Sequence, residues 1–259
     1  MEKEKLLQII NYCSHCDIQL KGISTNGSIY DKEISRALRG LNNFSLQVSI
    51  DAATSRTYLI IRNSQDFLRV IENTRRFVKD GLNVTMSMVL TRMNSQEIGM
   101  FAKLAEQLGA KQLSFGGFIP LGRGKDIGHW SLNYFEILKS YRVIKELKTN
   151  VKIIGFEDQY CPAGTKSLDM LPNGDLYPCA LFFGFKESKI GNILDETFDS
   201  LRSWVKNLIN FKVPNKCKNC PMPPVCHGGC KAFIYSRLRK FPERLNPWCS
   251  PQKINLKEK

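Results

Sequence analysis

Seven of the nine cysteines fall between Cys161 and Cys249. Four of them crowd into Cys217-Lys-Asn-Cys-Pro-Met-Pro-Pro-Val-Cys-His-Gly-Gly-Cys230, at spacings x2, x5 and x3. Pro221, Pro223 and Pro224 forbid a helix between the second and third thiols, and Gly228-Gly229 lets the backbone curl its amides toward sulfur. Such a loop is built to enclose something inorganic. Upstream, Leu168 to Pro178 reads as a hairpin turning at Pro172-Asn173-Gly174-Asp175, which brings Cys161 and Cys179 together. One tetrahedral zinc takes four thiolates and leaves three idle. Zinc modules also usually separate their cysteine pairs by a longer loop than the five residues found here. Two iron-sulfur clusters use all seven thiols if Cys230 crosses from the loop to the hairpin, as the fourth cysteine of a similar run does in two-cluster ferredoxins. The spacing favours iron-sulfur and leaves zinc as the alternative.

The other chemical candidates have plainer readings. Cys13-Ser-His-Cys16 has no second pair nearby to complete four ligands and reads as a helix end. His227 adjoins Cys226, and neighbouring residues rarely both face one metal. Met86 and Met88 read as core filling. Gly122-x-Gly124 is as well explained by a turn as by a phosphate loop.

The composition is that of a globular chain, 42% hydrophobic and 10% aromatic. Neither a run of about 18 apolar residues nor a charged-then-apolar leader is visible, so the reading is a cytoplasmic protein that does not span a membrane. An odd cysteine count in that compartment speaks for ligands rather than disulfides. The net charge of +14 suggests an acidic partner or nucleic acid. The basic residues are spread rather than blocked, however, and bound thiolate clusters would lower the sum, which speaks against nucleic acid.

The elements that carry these thiols follow a β-α repeat. A helix over Glu2 to Tyr12 places Leu6, Ile9, Ile10 and Cys13 on one buried face. Strands are expected at Asp17 to Ser24, Phe44 to Ile50, Val84 to Leu90 and Gln112 to Phe118. Helices are expected between Ser64 and Gly81, and from the Ser95 cap to a stop at Gly109. Alternation of this kind means a parallel sheet, open or curled into a barrel, with function at the strand C-termini. A long helix follows over Ser131 to Lys148, and near Val151 to Phe156 the pattern changes. A further helix is expected near Glu196 to Leu208.

With these residues in view, Cys161-x12-Gly174-x4-Cys179, a gap, Cys217-x2-Cys220-x5-Cys226-x3-Cys230, a gap and Cys249 resembles the seven-cysteine motif of the SPASM domain. That domain is the C-terminal extension of radical S-adenosylmethionine (SAM) enzymes that modify peptides. Over Met1 to Gly124 the chain also resembles the barrel of those enzymes. Thr25-Asn26-Gly27 is similar to the end of their third strand and Ser49-Ile50-Asp51 to the fourth, whose serine contacts the cofactor. Arg62 is placed like the arginine that steadies the cofactor's polar portion.

The resemblance implies a partial radical-SAM β/α barrel over residues 1–150 and a SPASM domain over 151–259. It implies two auxiliary [4Fe-4S] clusters held by Cys161, Cys179, Cys217, Cys220, Cys226, Cys230 and Cys249, with Ser49 and Arg62 on the cofactor. Cys217, Cys220, Cys226 and Cys249 would hold one cluster; Cys161, Cys179 and Cys230 would hold the other, leaving one iron without a cysteine. The implied partner is a peptide or protein substrate.

Two departures narrow this. The family's Cys-x3-Cys-x2-Cys, which cleaves SAM, and its Gly-Gly-Glu-Pro are nowhere in the sequence. The chain alone is therefore expected not to cleave SAM, and would bind it only if completed by an N-terminal part or companion chain. Sulfatase-maturing relatives carry an Asp where this chain has Ala180, which disfavours formylglycine formation. The alternative is a non-catalytic iron-sulfur or zinc module that binds a peptide or a partner enzyme.

Overall fold

The structure, a computed structural model, describes residues 2–16, 18–154, 163–164, 167–194 and 230–238. Of the seven motif cysteines, Cys179 and Cys230 are among them; Cys161, Cys217, Cys220, Cys226 and Cys249 lie outside the described residues, as does the helix expected near Glu196. The chain divides into two compact units, one of residues 1–117 and 139–156 and another of 118–138 and 157–259.

The first unit is a parallel sheet of five strands in the order β1-β2-β3-β4-β5. These are β1 (Gly22–Thr25), β2 (Ser45–Ser49), β3 (Val84–Leu90), β4 (Gln112–Gly117) and β5 (Lys152–Ile154). Helices fill the crossovers, as parallel pairing requires: α2 (Lys32–Arg39), α3 (Ser55–Arg62), α4 (Phe67–Lys79), α5 (Ile98–Leu108) and α6 (Tyr134–Lys145), with α1 (Lys3–His15) ahead of β1. The strand order never reverses. With crossovers of one hand, that puts the helices on one face, the arrangement of a winding barrel sheet rather than of a doubly wound one.

The sheet therefore has two unlike faces. Leu46, Val48, Val84, Met86, Met88, Leu113 and Phe115 are all buried on the apolar face, together with Val70, Ile98, Phe101 and Ala105 of the helices. Each of these side chains larger than alanine contributes roughly 1.5–3 kcal/mol by leaving water. Met86 and Met88 are thus core, as the sequence suggested. The intervening strand positions are polar and line up across the sheet. Ser24, Gln47, Thr85 and Gln112 form one row and Ser49, Ser87 and Ser114 the next.

Some expectations need correcting. α1 runs to His15, and of its four supposed core residues Ile10 is buried while Ile9 is 45% exposed and Cys13 half-buried. The helix is tied to α2 by charge instead, with Lys3 bridging Asp31 and Glu33 at 2.9 and 2.7 Å. The changed pattern near Val151 hides a fifth parallel strand, β5, which pairs with β4. The long helix after Ser131 is shorter than expected, Tyr134–Lys145. α2 and α3 were not foreseen. Gly122-x-Gly124 lies in a single 3-10 turn, Gly122–Lys125, so the plain reading holds.

In the second unit β6 (Asp169–Met170), β7 (Asp175–Tyr177) and β8 (Gly191–Asn192) form a small antiparallel sheet. The β6-β7 turn is the expected one, with Gly174 at φ 87, a conformation that side chains resist. Its core is Tyr177, Phe182, Phe185 and, from α7 (Lys231–Leu238), Ala232 and Tyr235. No helix among the described residues is long and apolar enough to cross a membrane.

Candidate functional site

Two places gather the candidate residues. At the C-terminal end of β2, Asp51 takes a left-handed backbone, φ 62, uncommon outside glycine. Its neighbours impose that geometry. One carboxylate oxygen accepts from the Val89 amide at 2.6 Å, and the backbone carbonyl accepts from Asn94 Nδ2 at 2.9 Å. Asn94 Nδ2 also donates to the Val89 carbonyl at 2.8 Å, so β2 and β3 are stapled together where they end.

Arg62, at the last turn of α3, reaches back to the same place. Its Nη2 donates to the Ser49 carbonyl at 2.9 Å and pairs with Asp51 Oδ2 at 2.7 Å. Burial pushes the Asp51 carboxyl above its ordinary value; the Arg62 charge and the Val89 amide pull it partly back. The Arg62 Nε is buried and finds no hydrogen-bond partner among the described residues. A guanidinium held by one edge with its Nε–H uncommitted suits a carboxylate-bearing ligand. The Ser49 hydroxyl, in its row with Ser87 and Ser114, likewise has no hydrogen bond among the described residues.

Glu97 supports this end and was missed by sequence reasoning. Almost fully buried, it accepts from the Ala53 amide at 2.6 Å, the Thr54 hydroxyl at 2.8 Å and the Thr57 hydroxyl at 2.5 Å. It thereby fixes the start of α3, and so the origin from which Arg62 projects. No local sequence pattern announces it, because its partners lie more than a crossover away. Thr25-Asn26-Gly27 closes β1 at the same end. Gly27, at φ 71, is obligatory there, since a Cβ would stand 2.8 Å from Val48 Cγ1.

The second place is the hairpin. Cys179 and Cys230, distant in sequence, are both half-buried and pack against one aromatic cluster. The Gly164 amide donates to the Pro178 carbonyl at 3.1 Å, which draws the segment following Cys161 against the residue preceding Cys179. Among the described residues no three potential ligands close on a single ion. Donors spread around a cluster of several irons need not do so. Two thiols on an apolar, aromatic bed are a donor set suited to iron and sulfide. Asp175 is committed to Lys189 at 2.6 Å and to Asn192 and Asn173, which hold its carboxyl below the usual range. Cys13 and Cys16 sit at the end of α1, where Cys16 Sγ bonds the Tyr12 carbonyl at 3.1 Å.

Known proteins resemble this chain in sequence and in fold. Residues 161–230 match the SPASM family of iron-sulfur cluster-binding domains. The chain is 28% identical over 224 residues to the subtilosin biosynthesis protein AlbA of Bacillus subtilis, covering 80% of this chain and 49% of AlbA. It is 26% identical over 249 residues to the mycofactocin maturase MftC of Mycobacterium tuberculosis, covering 87% of this chain and 62% of MftC. Its fold is that of Streptococcus suis SuiB bound to the precursor peptide SuiA, with a TM-score of 0.70 at 17% identity over 94% of this chain and 61% of SuiB. The chain spans about half of AlbA and under two thirds of SuiB and this MftC.

A parallel β/α sheet joined to a SPASM domain defines the class. Residues 161–230 fall in that SPASM family, and over most of its length the chain is similar to maturation proteins such as AlbA and MftC.

Proposed function

We propose that this chain is the cluster-bearing later part of a radical SAM peptide maturase, with two auxiliary [4Fe-4S] clusters in residues 151–259 and part of the SAM pocket in residues 1–150. The observation that carries the reading is the meeting of Cys179 and Cys230 on one aromatic cluster, which is what a thiol crossing from the loop to the hairpin requires. Cys161 would join them; Cys217, Cys220, Cys226 and Cys249 would hold the second cluster. When bound, the clusters supply electron transfer or an iron site for the substrate peptide. The chain's own residues seat them in an apolar bed and orient Arg62 and Ser49 toward the polar end of SAM.

The part that cleaves SAM would come from an N-terminal companion carrying Cys-x3-Cys-x2-Cys. In support, β1 has β2 as its one partner among the described residues, which leaves its outer edge unpaired there. The second reading, a module that binds a peptide or partner enzyme without SAM chemistry, is favoured by the missing triad. Anaerobic reconstitution with iron and sulfide, followed by elemental analysis, tests the shared premise. About eight irons per chain support two [4Fe-4S] clusters; stoichiometric zinc without iron overturns them.

A further inference from the structure

The strand register puts a carboxylate where the thiol count runs out. Asp169 stands opposite Tyr177 in the antiparallel pair of β6 and β7, and residues directly opposite share a face. Cys179 follows Tyr177 by two positions on extended backbone, φ −163 and ψ 165, and so falls on that face too. The packing agrees, because Tyr177 and Cys179 meet the same aromatic cluster as Cys230. Asp169 Oδ2 accepts from the Ala180 amide at 2.7 Å, so the carboxylate lies against the peptide unit that leaves Cys179. Its Oδ1 makes no hydrogen bond among the described residues. The competing carboxylate, Asp175, is saturated by Lys189, Asn173 and Asn192.

Resting on the cluster assignment above, we propose that Asp169 is the non-cysteine ligand of the cluster held by Cys161, Cys179 and Cys230, giving its Oδ1 to the iron that lacks a thiolate. The amide of Ala180 fixes one carboxylate oxygen and thereby aims the other, the way an outer partner orients a metal-binding carboxylate. A carboxylate is a harder, weaker partner for this iron than a thiolate, so an incoming sulfur ligand displaces it. The iron is thus capped at rest and still open to the thiolate of a substrate peptide. The bond is coordination only: no electron moves, and the carboxylate is released as the thiolate binds.

Asp169→Asn separates the ligand role from the structural one, because the amide oxygen still accepts from Ala180 while the other arm can no longer bind iron as an anion. The measurement is the electron paramagnetic resonance and Mössbauer spectrum of the reduced, reconstituted full-length chain, titrated with a small thiol. Expected is unchanged iron and sulfide content, an altered signal from one cluster, and a thiol midpoint about tenfold lower in Asp169→Asn than in the unsubstituted chain. Asp169→Glu, which keeps the carboxylate, should restore part of that difference. If Asp169→Asn leaves both spectrum and midpoint unchanged while iron content holds, the proposal is overturned although the clusters stand. If the unsubstituted chain binds zinc and no iron, the cluster assignment itself falls, and the ligand role with it.

Discussion

Nη2 of Arg62 stands 2.9 Å from the carbonyl oxygen of Ser49, so the two residues that the sequence singled out for one ligand touch through backbone rather than side chain. This contact leaves the Ser49 hydroxyl and the Arg62 Nε available together, and Asp51 closes the arrangement from the third side at 2.7 Å.

That arrangement has a titration signature. Burial raises the Asp51 pKa and Arg62 lowers it, so Arg62→Ala should move the midpoint further up. The sign for stability follows from the raised value. Asp51 contributes most below the ordinary carboxylate pKa of 3.8, and the contribution is lost as pH rises through the folded-state pKa. Carboxyl-carbon NMR on aspartate-labelled protein reads the midpoint directly, and a downward move in Arg62→Ala contradicts the pairing.

Glu97 should matter more than any sequence pattern suggests. Glu97→Ala strands the Ala53 amide and two threonine hydroxyls in a buried site, at a cost of about 2–4 kcal/mol in urea unfolding. Glu97→Gln retains acceptor capacity and should lose less. Equal stability of Glu97→Ala and the parent would show that the start of α3 does not depend on this carboxylate.

How much of this was legible depends on the range of the interaction. The α4 and α5 regions could be read because Val70, Ile71, Ile98, Phe101 and Ala105 repeat at helical spacing, and the hairpin because Asn173-Gly174 is a local turn signal. The Asp31 side chain caps α2 by accepting from the Glu33 and Ile34 amides, but the eight residues of α2 carry too few apolar positions to stand out in the sequence. β5 is a strand of three residues and has no period to detect. The Asp51, Glu97 and Asp169 contacts were illegible for a different reason. Each joins residues brought together by strand register or crossover, and neither spacing nor composition encodes that.

For the thiols, the proposed assignment expects Cys220→Ala to remove about half of the iron, because it would open the cluster of Cys217, Cys220, Cys226 and Cys249 and leave that of Cys161, Cys179 and Cys230. Iron analysis after anaerobic gel filtration checks this. An undiminished iron content would mean that Cys220 is no ligand.

The isolated chain, reduced with dithionite and supplied with SAM, should form no 5′-deoxyadenosine above a cluster-free control. Cleavage needs an iron left open by three thiolates of the Cys-x3-Cys-x2-Cys kind, and the sequence has no such triad. Chromatographic detection of 5′-deoxyadenosine above that control refutes the expectation.

Among the described residues the outer edge of β1 is unpaired, and a companion proposed to seat there can be tested. In the parallel ladder the Lys21 carbonyl receives the Ser45 amide, and Gly22, Ile23, Ser24 and Thr25 register with Ser45, Leu46, Gln47 and Val48. Alternate residues of a parallel strand bond to opposite sides, so Lys21, Ile23 and Thr25 serve β2, and the amides and carbonyls of Gly22 and Ser24 face outward. Both outward residues are exposed, as an edge awaiting a strand requires. Ser24→Pro deletes one outward N–H without touching the β2 ladder, and edge strands tolerate proline. It should weaken binding of a companion polypeptide bearing Cys-x3-Cys-x2-Cys by about tenfold while the thermal transition of the isolated chain stays in place, one lost hydrogen bond plus the steric block of the ring being sufficient. Calorimetric titration of the chain and its Ser24→Pro variant with that companion measures the difference. Equal affinity for both would place the companion elsewhere than on β1.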